Sequence, residues 1–415
     1  MDKREITGKV FNWFQTGGYI TWRDFPRRSA FIDGRGFLEG NLIKDAHRAF
    51  QSQLVLERLK RIYDFDSILT IYPRSESEIQ TIELDLALIN SPDWALVYWD
   101  DNNLVYLKKG GKYDHVIQTD EYKYIKPANP INVVRSRLHD EDFRSNILRE
   151  LKRNVAETGS SKAYTYLGFI YNETGSYREA IDTFMKVKDK SQPAFVVSAY
   201  QGIAFAYGKL GDIDESIRFY KKALIAEDAT TYYNLGIAYI RKGDKKEAIT
   251  YLRKALKINT NLMSIYPTLI GTYQELGMKK KADETMKIYQ SAEIESKGEE
   301  HFKTGVAAYL EKRFDIAETE FKRSIEANPS NPNPYSNLGY LYFDRGDINA
   351  AFEYQKKAID IDPNFANAHY GLALIYKKRD NPEMARKCWE EYIRIEPTGY
   401  YSRRAKEEIE ALKGR

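Results

Sequence analysis

A period of about 34 residues constrains the fold of this chain more than any other feature of its sequence. The pattern recurs seven times between residues 161 and 399. The copies begin at Ser161, Val197, Ala229, Met263, Gly298, Pro332 and Ala366, with steps of 36, 32, 34, 35, 34 and 34 residues. Such a fixed period is typical of stacked structural repeats, in which each unit buries its apolar face against its neighbours.

The columns of the repeat predict two antiparallel helices in each copy. Aromatic side chains recur at the fourth and eleventh positions, as at Tyr232 and Tyr239, with Leu235 between them. This i, i+3, i+7 spacing places them on one face of a first helix. Small residues recur at the eighth and twentieth positions, as at Gly236 and Ala248. Small side chains at these positions let a second helix approach closely.

Glycine and proline mark the ends of the predicted helices. Glycines between the two halves are Gly175, Gly211, Gly243, Gly277 and Gly346, and prolines that close the later copies are Pro329, Pro363 and Pro397. A glycine after a helix supplies a left-handed residue, and proline cannot continue a helix. With these signals in place, the pattern resembles the tetratricopeptide repeat. The resemblance implies a right-handed superhelix whose first helices line a concave groove that commonly receives an extended segment of a partner.

The groove supplies the candidate partner-binding residues. In the family that the pattern resembles, first-helix positions two, five, six, nine, twelve and thirteen face the groove. In the second, third, sixth and seventh copies the candidates are Gln201, Phe205, Tyr233, Asn234, Ile237, Arg241, Asn333, Asn337, Tyr340, Phe343, Asn367, Tyr370 and Lys377. Asn amides hydrogen-bond a peptide backbone in both directions, and exposed aromatic rings supply contact area. Alternatively, Phe205, Ile237 and Phe343 pack between neighbouring hairpins. Chaperone-binding members of that family hold a C-terminal carboxylate with a set of Lys and Asn residues. This sequence does not reproduce that set.

One irregularity and two caps complete the repeat array. No proline separates the fourth and fifth copies, so residues 279–310 predict one nearly unbroken helix that divides the array into four copies and three. The superhelix is expected to change curvature there. Helical periodicity before and after the array predicts capping helices over residues 140–158 and 400–412.

Residues 1–135 lack the period and predict a small α/β domain with a mixed sheet. Strand signals at residues 29–33, 67–72, 94–99 and 104–107 alternate with helical patterns at 43–63 and 76–90, in the order β-α-β-α-β-β. Residues 10–22 predict two short extended segments, or a helix and a strand. The polar stretch from 110 to 137 is interpreted as a connection. The expected domains are 1–135, a linker and capping helix at 136–160, seven repeats at 161–399 and a capping helix at 400–415.

The amino-terminal domain carries a second resemblance, on separate short motifs. The runs Phe11-Asn12, Gly17-Gly18-Tyr19, Phe31-Ile-Asp-Gly-Arg35 and Trp94-Ala-Leu-Val-Tyr-Trp-Asp-Asp101 carry it, together with Trp22, Pro26 and Leu104-Val-Tyr. They resemble the soluble extracytoplasmic domain that follows the membrane spans of polytopic, glycosyltransferase-like bacterial membrane proteins. The spans themselves are missing, so the chain is expected to be either an excised fragment with an artificial Met1 or a stand-alone relative. No transferase activity is implied, and the compartment is extracytoplasmic on this interpretation and cytoplasmic otherwise.

Few residues suggest catalysis. Asp33, Arg35 and Glu39 could form a polar site at the end of a strand. One hypothesis is a hydrolase or transferase that uses these three side chains. The alternative is a turn in which Arg35 pairs with Asp33. The five histidines share no metal-ligand spacing, and Cys388 is expected to be an inert packed thiol. We therefore expect no cofactor and no metal, and a scaffold rather than an enzyme.

The charge balance of the whole chain is consistent with a protein or peptide partner. The 415 residues carry Lys+Arg 64 against Asp+Glu 60, a net charge of +4 that is too balanced to indicate nucleic acid as the main partner. No continuous apolar run approaches the length of a membrane span.

Overall fold

The computed structural model places most of the chain in two compact units, Met1–Tyr251 and Leu252–Arg415. The residues that the structure describes are 1, 4–12, 27–31, 44–45, 48–49, 52–71, 88, 91–127, 131–187 and 192–413. Among them, no helix is both long enough and apolar enough to cross a lipid bilayer.

The first unit begins with a mixed five-stranded sheet. Its strands are β1 (Gly8–Asn12), β2 (Arg28–Ala30), β3 (Ser67–Ile71), β4 (Trp94–Trp99) and β5 (Asn103–Lys108), in the order β2-β1-β3-β5-β4. The strand β1 runs parallel to β2 and β3, whereas β5 is antiparallel to both β3 and β4. The mixed sheet and its terminal hairpin are as predicted. Of the segment 10–22, residues 10–12 belong to the buried inner strand β1, and residues 13–22 lie outside the described residues.

Helices flank this sheet, and the sequence predicted only some of them. The helix Gln53–Tyr63 lies within the predicted 43–63 helix, and only Leu88 of the predicted 76–90 helix is among the described residues. The interpretation of residues 110–137 as a polar connection was wrong, because Asp114–Asp120 and Ile131–Arg137 are helices. Tyr122 and Ile125 between them are fully buried, so this segment contributes to the core.

The predicted amino-terminal capping helix, Glu141–Thr158, joins the sheet to the repeats. Its Phe143, Ile147 and Leu151 belong to one apolar core that also contains Trp99 of β4 and Ile170 of the first repeat. The buried Asn154 donates its side-chain N–H to the carbonyl of Trp99 at 2.8 Å. The domain boundaries at 135 and 160 remain a prediction, and this shared core crosses both.

The seven copies of the period are seven helix pairs in the predicted register. The first helices are Ser161–Glu173, Pro193–Leu210, Ala229–Lys242, Ile265–Glu275, the second half of Lys279–Leu310, Pro332–Asp344 and Ala366–Lys378. The second helices are Tyr177–Phe184, Ile213–Ala223, Lys245–Ile258, the first half of Lys279–Leu310, Phe314–Ala327, Ile348–Ile361 and Pro382–Ile395. The carboxyl-terminal capping helix is Ser402–Lys413, with Ala405 and Ile409 buried as predicted.

The residue in the turn between the two helices of a pair has a positive φ angle. Gly211, between the helices of repeat 2, has φ 90°, and Lys312, at the same column of repeat 5, is held at φ 59°. This region suits glycine, so the column is glycine in most copies. The helix over Lys279–Leu310 is unbroken, which confirms the predicted fusion of repeats 4 and 5. The two compact units nevertheless divide between Tyr251 and Leu252, inside repeat 3.

Candidate functional site

A pocket in the first unit lies on the first helices of repeats 1 and 2. We call it the amino-terminal pocket; its volume is about 450 Å³. Repeat 1 lines it with Lys162, Thr165, Tyr166, Phe169, Asn172 and Glu173. These are positions two, five, six, nine, twelve and thirteen of that copy, the columns expected to face the groove. Repeats 2 and 3 add Gln201, Phe205 and Asn234 from the predicted set.

The floor of the amino-terminal pocket is aromatic. Tyr166 and Tyr220 are 7% and 6% exposed, and burial raises the pKa of each phenol to about 12. Both side chains are therefore neutral at physiological pH. The positive charge of Arg241 lowers the pKa of Tyr220 but does not outweigh the effect of burial. At the mouth, Phe205 is 40% exposed, and its ring meets that of Tyr177 edge-on at 6.4 Å. The pocket offers a large apolar contact surface.

Asn172 brings an unpaired acceptor to this floor. Its side-chain Nδ2 donates to the carbonyl of Gly202 in the neighbouring repeat, at 2.9 Å. That bond fixes the orientation of the amide, because only the NH₂ group can face a carbonyl. The side chain is 7% exposed, and its Oδ1 has no hydrogen-bond partner among the described residues. The Oδ1 atom itself is buried from solvent.

One wall of the pocket comes from outside the repeats. Ile131 and Arg135, in the helix Ile131–Arg137, line it beside repeat 1. The Arg135 guanidinium pairs with Glu173 at 3.0 Å and lies 4.9 Å from the ring centroid of Phe169. The sequence does not indicate this wall, because the short helix over residues 131–137 follows a polar stretch with no helical period. The repeat 1 residues, in contrast, follow from the same columns that selected the predicted set.

Two cations, Lys209 and Arg241, lie near the pocket but outside its lining. The Lys209 ammonium lies 5.3 Å from the ring centroid of Phe205. Arg241 lies next to Gly208, since a Cβ added there would be 3.3 Å from its Nη1. Within the described part of the chain, neither cation has a carboxylate partner. Gln201, also in the lining, is already hydrogen-bonded within the protein. Its Nε2 donates to Thr231 Oγ1 at 2.5 Å and to Asp228 Oδ2 at 3.3 Å.

The predicted residues of the second unit are engaged within the protein. Asn337 donates to the carbonyl of Asn333 at 3.0 Å, and Tyr340 donates to the carbonyl of Asn367 at 2.6 Å. Asn333 donates to Asn331 at 2.9 Å, and Lys377 pairs with Glu408 at 2.6 Å.

Tyr370 does not face an open groove. It is 3% exposed because Tyr401, just before the capping helix, stacks on its ring at 4.6 Å. The cap covers the face that the column rule assigned to the groove. Phe343 is partly buried against the same core.

The remaining predicted residues lie outside the amino-terminal pocket. Tyr233 and Ile237 are half-buried on the first helix of repeat 3. Asp33, Arg35 and Glu39 fall outside the described residues. In the part of the chain that is described, no three His, Cys, Asp or Glu side chains are grouped so that they could hold a metal ion.

The second unit has a larger and more polar pocket of about 910 Å³. Glu295, Glu299 and Glu300 of the long helix line it together with Asn328 and Asn331. Lys303 pairs with Glu299 at 3.5 Å. The predicted set contained none of these side chains, since it used only the second, third, sixth and seventh copies.

Family models for the repeat match two regions of the chain. Models described as tetratricopeptide repeat match residues 195–261, 320–353 and 366–398, and one described as TPR repeat matches residues 339–380. No protein with a curated function matches.

Solved structures with similar segments have low overall similarity. The MamA protein is 26% identical with a TM-score of 0.24, over 41% of this chain and 92% of that one. YrrB, described as a TPR protein with an unusual peptide-binding site, is 22% identical with a TM-score of 0.25, over 45% and 97%. The TPR2AB domain of yeast Sti1, in a complex with pHSP90, is 19% identical with a TM-score of 0.27, over 61% and 98%.

The register of the helix pairs and the family models agree on the same segments. The match over 195–261 covers nearly all of repeats 2 and 3, and repeats 6 and 7 fall within the matches that run from 320 to 398. The chain therefore contains tetratricopeptide repeats.

Proposed function

We propose that this chain is a non-enzymatic scaffold for protein–protein interaction, and that its amino-terminal pocket takes an extended segment of a partner. The observation that carries the proposal is a pocket of about 450 Å³ on the first helices of repeats 1 and 2, lined by aromatic side chains, with Phe205 40% exposed at its mouth. An open pocket lined by aromatic side chains supplies apolar contact area for a bound segment.

The composition of the pocket supports a peptide over a small metabolite. Exposed Phe205 and half-buried Phe169 offer contact area without the cluster of titratable groups that catalysis requires. Glu173, the carboxylate in the lining, is held by Arg135. The other lining groups bind and orient rather than transfer protons.

Selection from a displayed peptide library on the full chain tests the proposal. We expect enriched peptides to bind wild-type protein in calorimetry, and the Phe205→Ala variant to lose about tenfold or more in affinity. Ile225→Ala is the matched control, because Ile225 is 65% exposed and lies outside the pocket. Absence of enriched peptides, or equal loss in both variants, would refute the pocket as the site.

The second hypothesis concerns the amino-terminal resemblance. An origin next to membrane spans in a glycan-assembly protein remains a prediction, and the fused core of sheet, capping helix and repeat 1 is compatible with it. Genomic sequence upstream of the Met1 codon tests it: an open frame encoding membrane spans supports this origin, and an in-frame stop codon contradicts it.

A further inference from the structure

We propose that the fused helix Lys279–Leu310 pairs with the same helix of a second copy of this chain, antiparallel and about a twofold axis near Gln290. The proposal does not depend on the amino-terminal pocket, because this helix belongs to the second unit. Three features carry it: two uncovered repeat faces, a bare stretch of helix between them, and a row of side chains that complements itself in the antiparallel direction.

The end of repeat 4 lacks a cover that other repeats have. In repeats 1 and 6 the side chain at position twenty-four packs against a glycine of the following copy, since a Cβ added at Gly202 or Gly371 would clash with it. Six copies bury this side chain to 6% exposure or less, whereas Met286 of repeat 4 is 37% exposed. The six are Phe184, Tyr220, Leu252, Phe321, Gln355 and Trp389.

The start of repeat 5 is open in the same way. Glu300 and Thr304, at positions three and seven, are exposed, whereas the residues at these positions in the other six copies are buried. Both side chains are polar and suit contact with water, but the thioether of Met286 does not. The fusion of the two repeats therefore leaves an apolar side chain uncovered at the end of repeat 4.

Between these two faces the helix packs against little of its own chain. The structure describes all of residues 283–297, about 22 Å of helix, and none of them is buried. Tyr289 and Ala292 are half-buried, and the Tyr289 ring lies 5.7 Å from that of Tyr266 in repeat 4. Helices in proteins are stabilised chiefly by the packing of an apolar face. A second helix alongside this stretch supplies that packing.

One side of the bare stretch carries a self-complementary row. Its members are Asp283, Met286, Gln290, Ile294 and Lys297, at i, i+3, i+7, i+11 and i+14. In an antiparallel pair centred on Gln290, Met286 lies opposite the second copy's Ile294, which is 52% exposed. Asp283 lies opposite the second copy's Lys297. A twofold axis makes each of these contacts twice, so apolar meets apolar and acid meets base on both sides of Gln290.

The charge along the helix favours the antiparallel direction. The first part of the helix is basic and the next part is acidic. Residues 279–290 carry Lys279, Lys280, Lys281 and Lys287 against Asp283 and Glu284, and residues 291–302 carry Glu293, Glu295, Glu299 and Glu300 against Lys297. Antiparallel pairing places each basic part against the other copy's acidic part, whereas parallel pairing places like charges together. Lys297 also pairs with Glu293 of its own chain at 3.0 Å, and at 64% exposure it can contact both carboxylates.

Sedimentation velocity of the full chain at increasing concentration tests the proposal. Wild type is expected to dimerise with a Kd in the micromolar range, because a helix contact about 22 Å long gives a small, reversible interface. Ile294→Asp is expected to raise this Kd about tenfold or more. Ile288→Asp is the matched control and should leave it unchanged. Ile288 is 57% exposed on the same helix, but it lies about 160° around the helix axis from Gln290.

Two further variants test the register. Asp283→Lys is expected to weaken the dimer severalfold by placing two lysines opposite each other, and adding Lys297→Glu should restore it. Gln290→Cys is expected to form a disulfide between two copies on mild oxidation, since side chains at the twofold axis of paired helices come close enough to bridge. Ile288→Cys is the control and should stay unlinked. Cys388 is buried, so it should not contribute.

The outcomes decide the proposal separately from the proposed function. A chain that stays monomeric at every concentration overturns the pairing, and so does a dimer that Ile294→Asp and Ile288→Asp weaken equally. If Ile294→Asp weakens the dimer but Gln290→Cys forms no disulfide, the antiparallel register is overturned. Both isoleucines are exposed, so neither change should unfold the chain, and circular dichroism checks this. Peptide binding at the amino-terminal pocket is not affected by any of these results.

Discussion

The carboxylate of Asp101 accepts a hydrogen bond from the backbone N–H of Lys162, at 2.9 Å. Asp101 lies in the turn between β4 and β5, and Lys162 lies in the first turn of the first repeat helix. The same carboxylate also accepts bonds from Ser161 N at 3.0 Å and from the hydroxyl of Ser160 at 2.6 Å. An anion at a helix amino terminus satisfies its orphan N–H groups and complements its dipole. The hairpin thus acts as a long-range cap for the repeat array.

Replacing Asp101 should loosen the junction between the sheet and repeat 1. Asp101→Ala removes a charged acceptor, so we expect a loss of about 1–2 kcal/mol and faster hydrogen exchange at the Ser161 and Lys162 amides. Exchange followed by mass spectrometry on peptides covering residues 160–167 measures this change. Asp93→Ala, an exposed aspartate before β4, is the control. Unchanged exchange in Asp101→Ala would contradict the capping role.

The repeats were predictable because their signals are local and recur. Each copy repeats the same spacing of aromatic, small and turn residues, so an ambiguous copy is aligned by its neighbours. Even the fused helix over Lys279–Leu310 followed from the sequence, because the boundary signals that end other copies are missing there. The register of the helices therefore needed no tertiary information.

The junction was not predictable because it depends on contacts between distant segments. Glu150 of the capping helix accepts three backbone hydrogen bonds, from Lys123, Tyr124 and Ile125, at 2.8 to 3.0 Å. In sequence, Glu150 is one charged residue on an amphipathic helix, and residues 123–125 lie in a stretch with no periodicity. Only the fold shows that the carboxylate ties this stretch to the helix.

The repeat positions that line the candidate site could be predicted from the sequence. The copies in which those positions are open to solvent could not. The column rule selected Gln201, Phe205 and Asn234, which line the amino-terminal pocket, and it also selected Tyr370, which Tyr401 covers. Whether a column faces solvent depends on what packs over that copy, and the sequence does not reveal this. Arg135 and Ile131 were missed for the same reason.

Close approach of repeats 1 and 2 depends on two glycines that flank one ring. A Cβ added at Gly202 would lie 2.4 Å from the ring of Phe184, and one at Gly168 would lie 2.8 Å from it. We expect Gly202→Ala to destabilise the protein by about 1–3 kcal/mol, because a buried aromatic ring must shift. Thermal unfolding followed by circular dichroism measures the effect, and adding Phe184→Leu should recover part of it.

Gly271 provides the opposite case. It lies in the first helix of repeat 4, and a Cβ there meets nothing within 4 Å. Gly271→Ala should therefore stabilise the protein by about 0.5–1 kcal/mol through helix propensity alone. Equal effects of the two glycine variants would refute the packing argument at Gly202.

Glu318 gives repeats 5 and 6 a dependence on pH. Burial raises the pKa of Glu318, but hydrogen bonds from Lys322, Tyr342 and Arg345 outweigh it and lower the pKa from 4.5 to about 2. Lys322 and Tyr342 donate at 2.6 Å, and Arg345 donates at 2.5 Å. Because the pKa is lower in the folded state, the stabilisation is complete above about pH 4.5 and is lost as pH falls toward 2.

Glu318→Gln should therefore lower stability at neutral pH by about 1 kcal/mol, and the deficit should shrink between about pH 4.5 and 2. Urea unfolding of wild type and variant at pH 7 and at pH 3 gives the two differences. Glu353→Gln is the control, since Glu353 is exposed on the following repeat. A deficit that does not change with pH would show that the bonds to Glu318 do not depend on its charge.

Cys388 is expected to be a buried, unreactive thiol in the folded protein. It is 9% exposed in the second helix of repeat 7, beside the fully buried Trp389. Burial, with a smaller contribution from the charge of Glu391, raises the pKa of the thiol from 9.0 to about 11. Since the thiolate is the reactive form, at pH 8 the native thiol should react with a disulfide reagent about a hundredfold more slowly than in the urea-unfolded chain.

The pH dependence of this reaction separates the raised pKa from simple shielding. If the pKa controls the rate, native labelling should keep rising by about tenfold per pH unit up to about pH 11, whereas unfolded chain should level off above about pH 9. If access alone controls it, both curves should level off together. Because the folded pKa is the higher one, the thiol also contributes stability that is present below pH 9 and is lost between 9 and 11. Fast native labelling at pH 8 would contradict the packing of this last repeat.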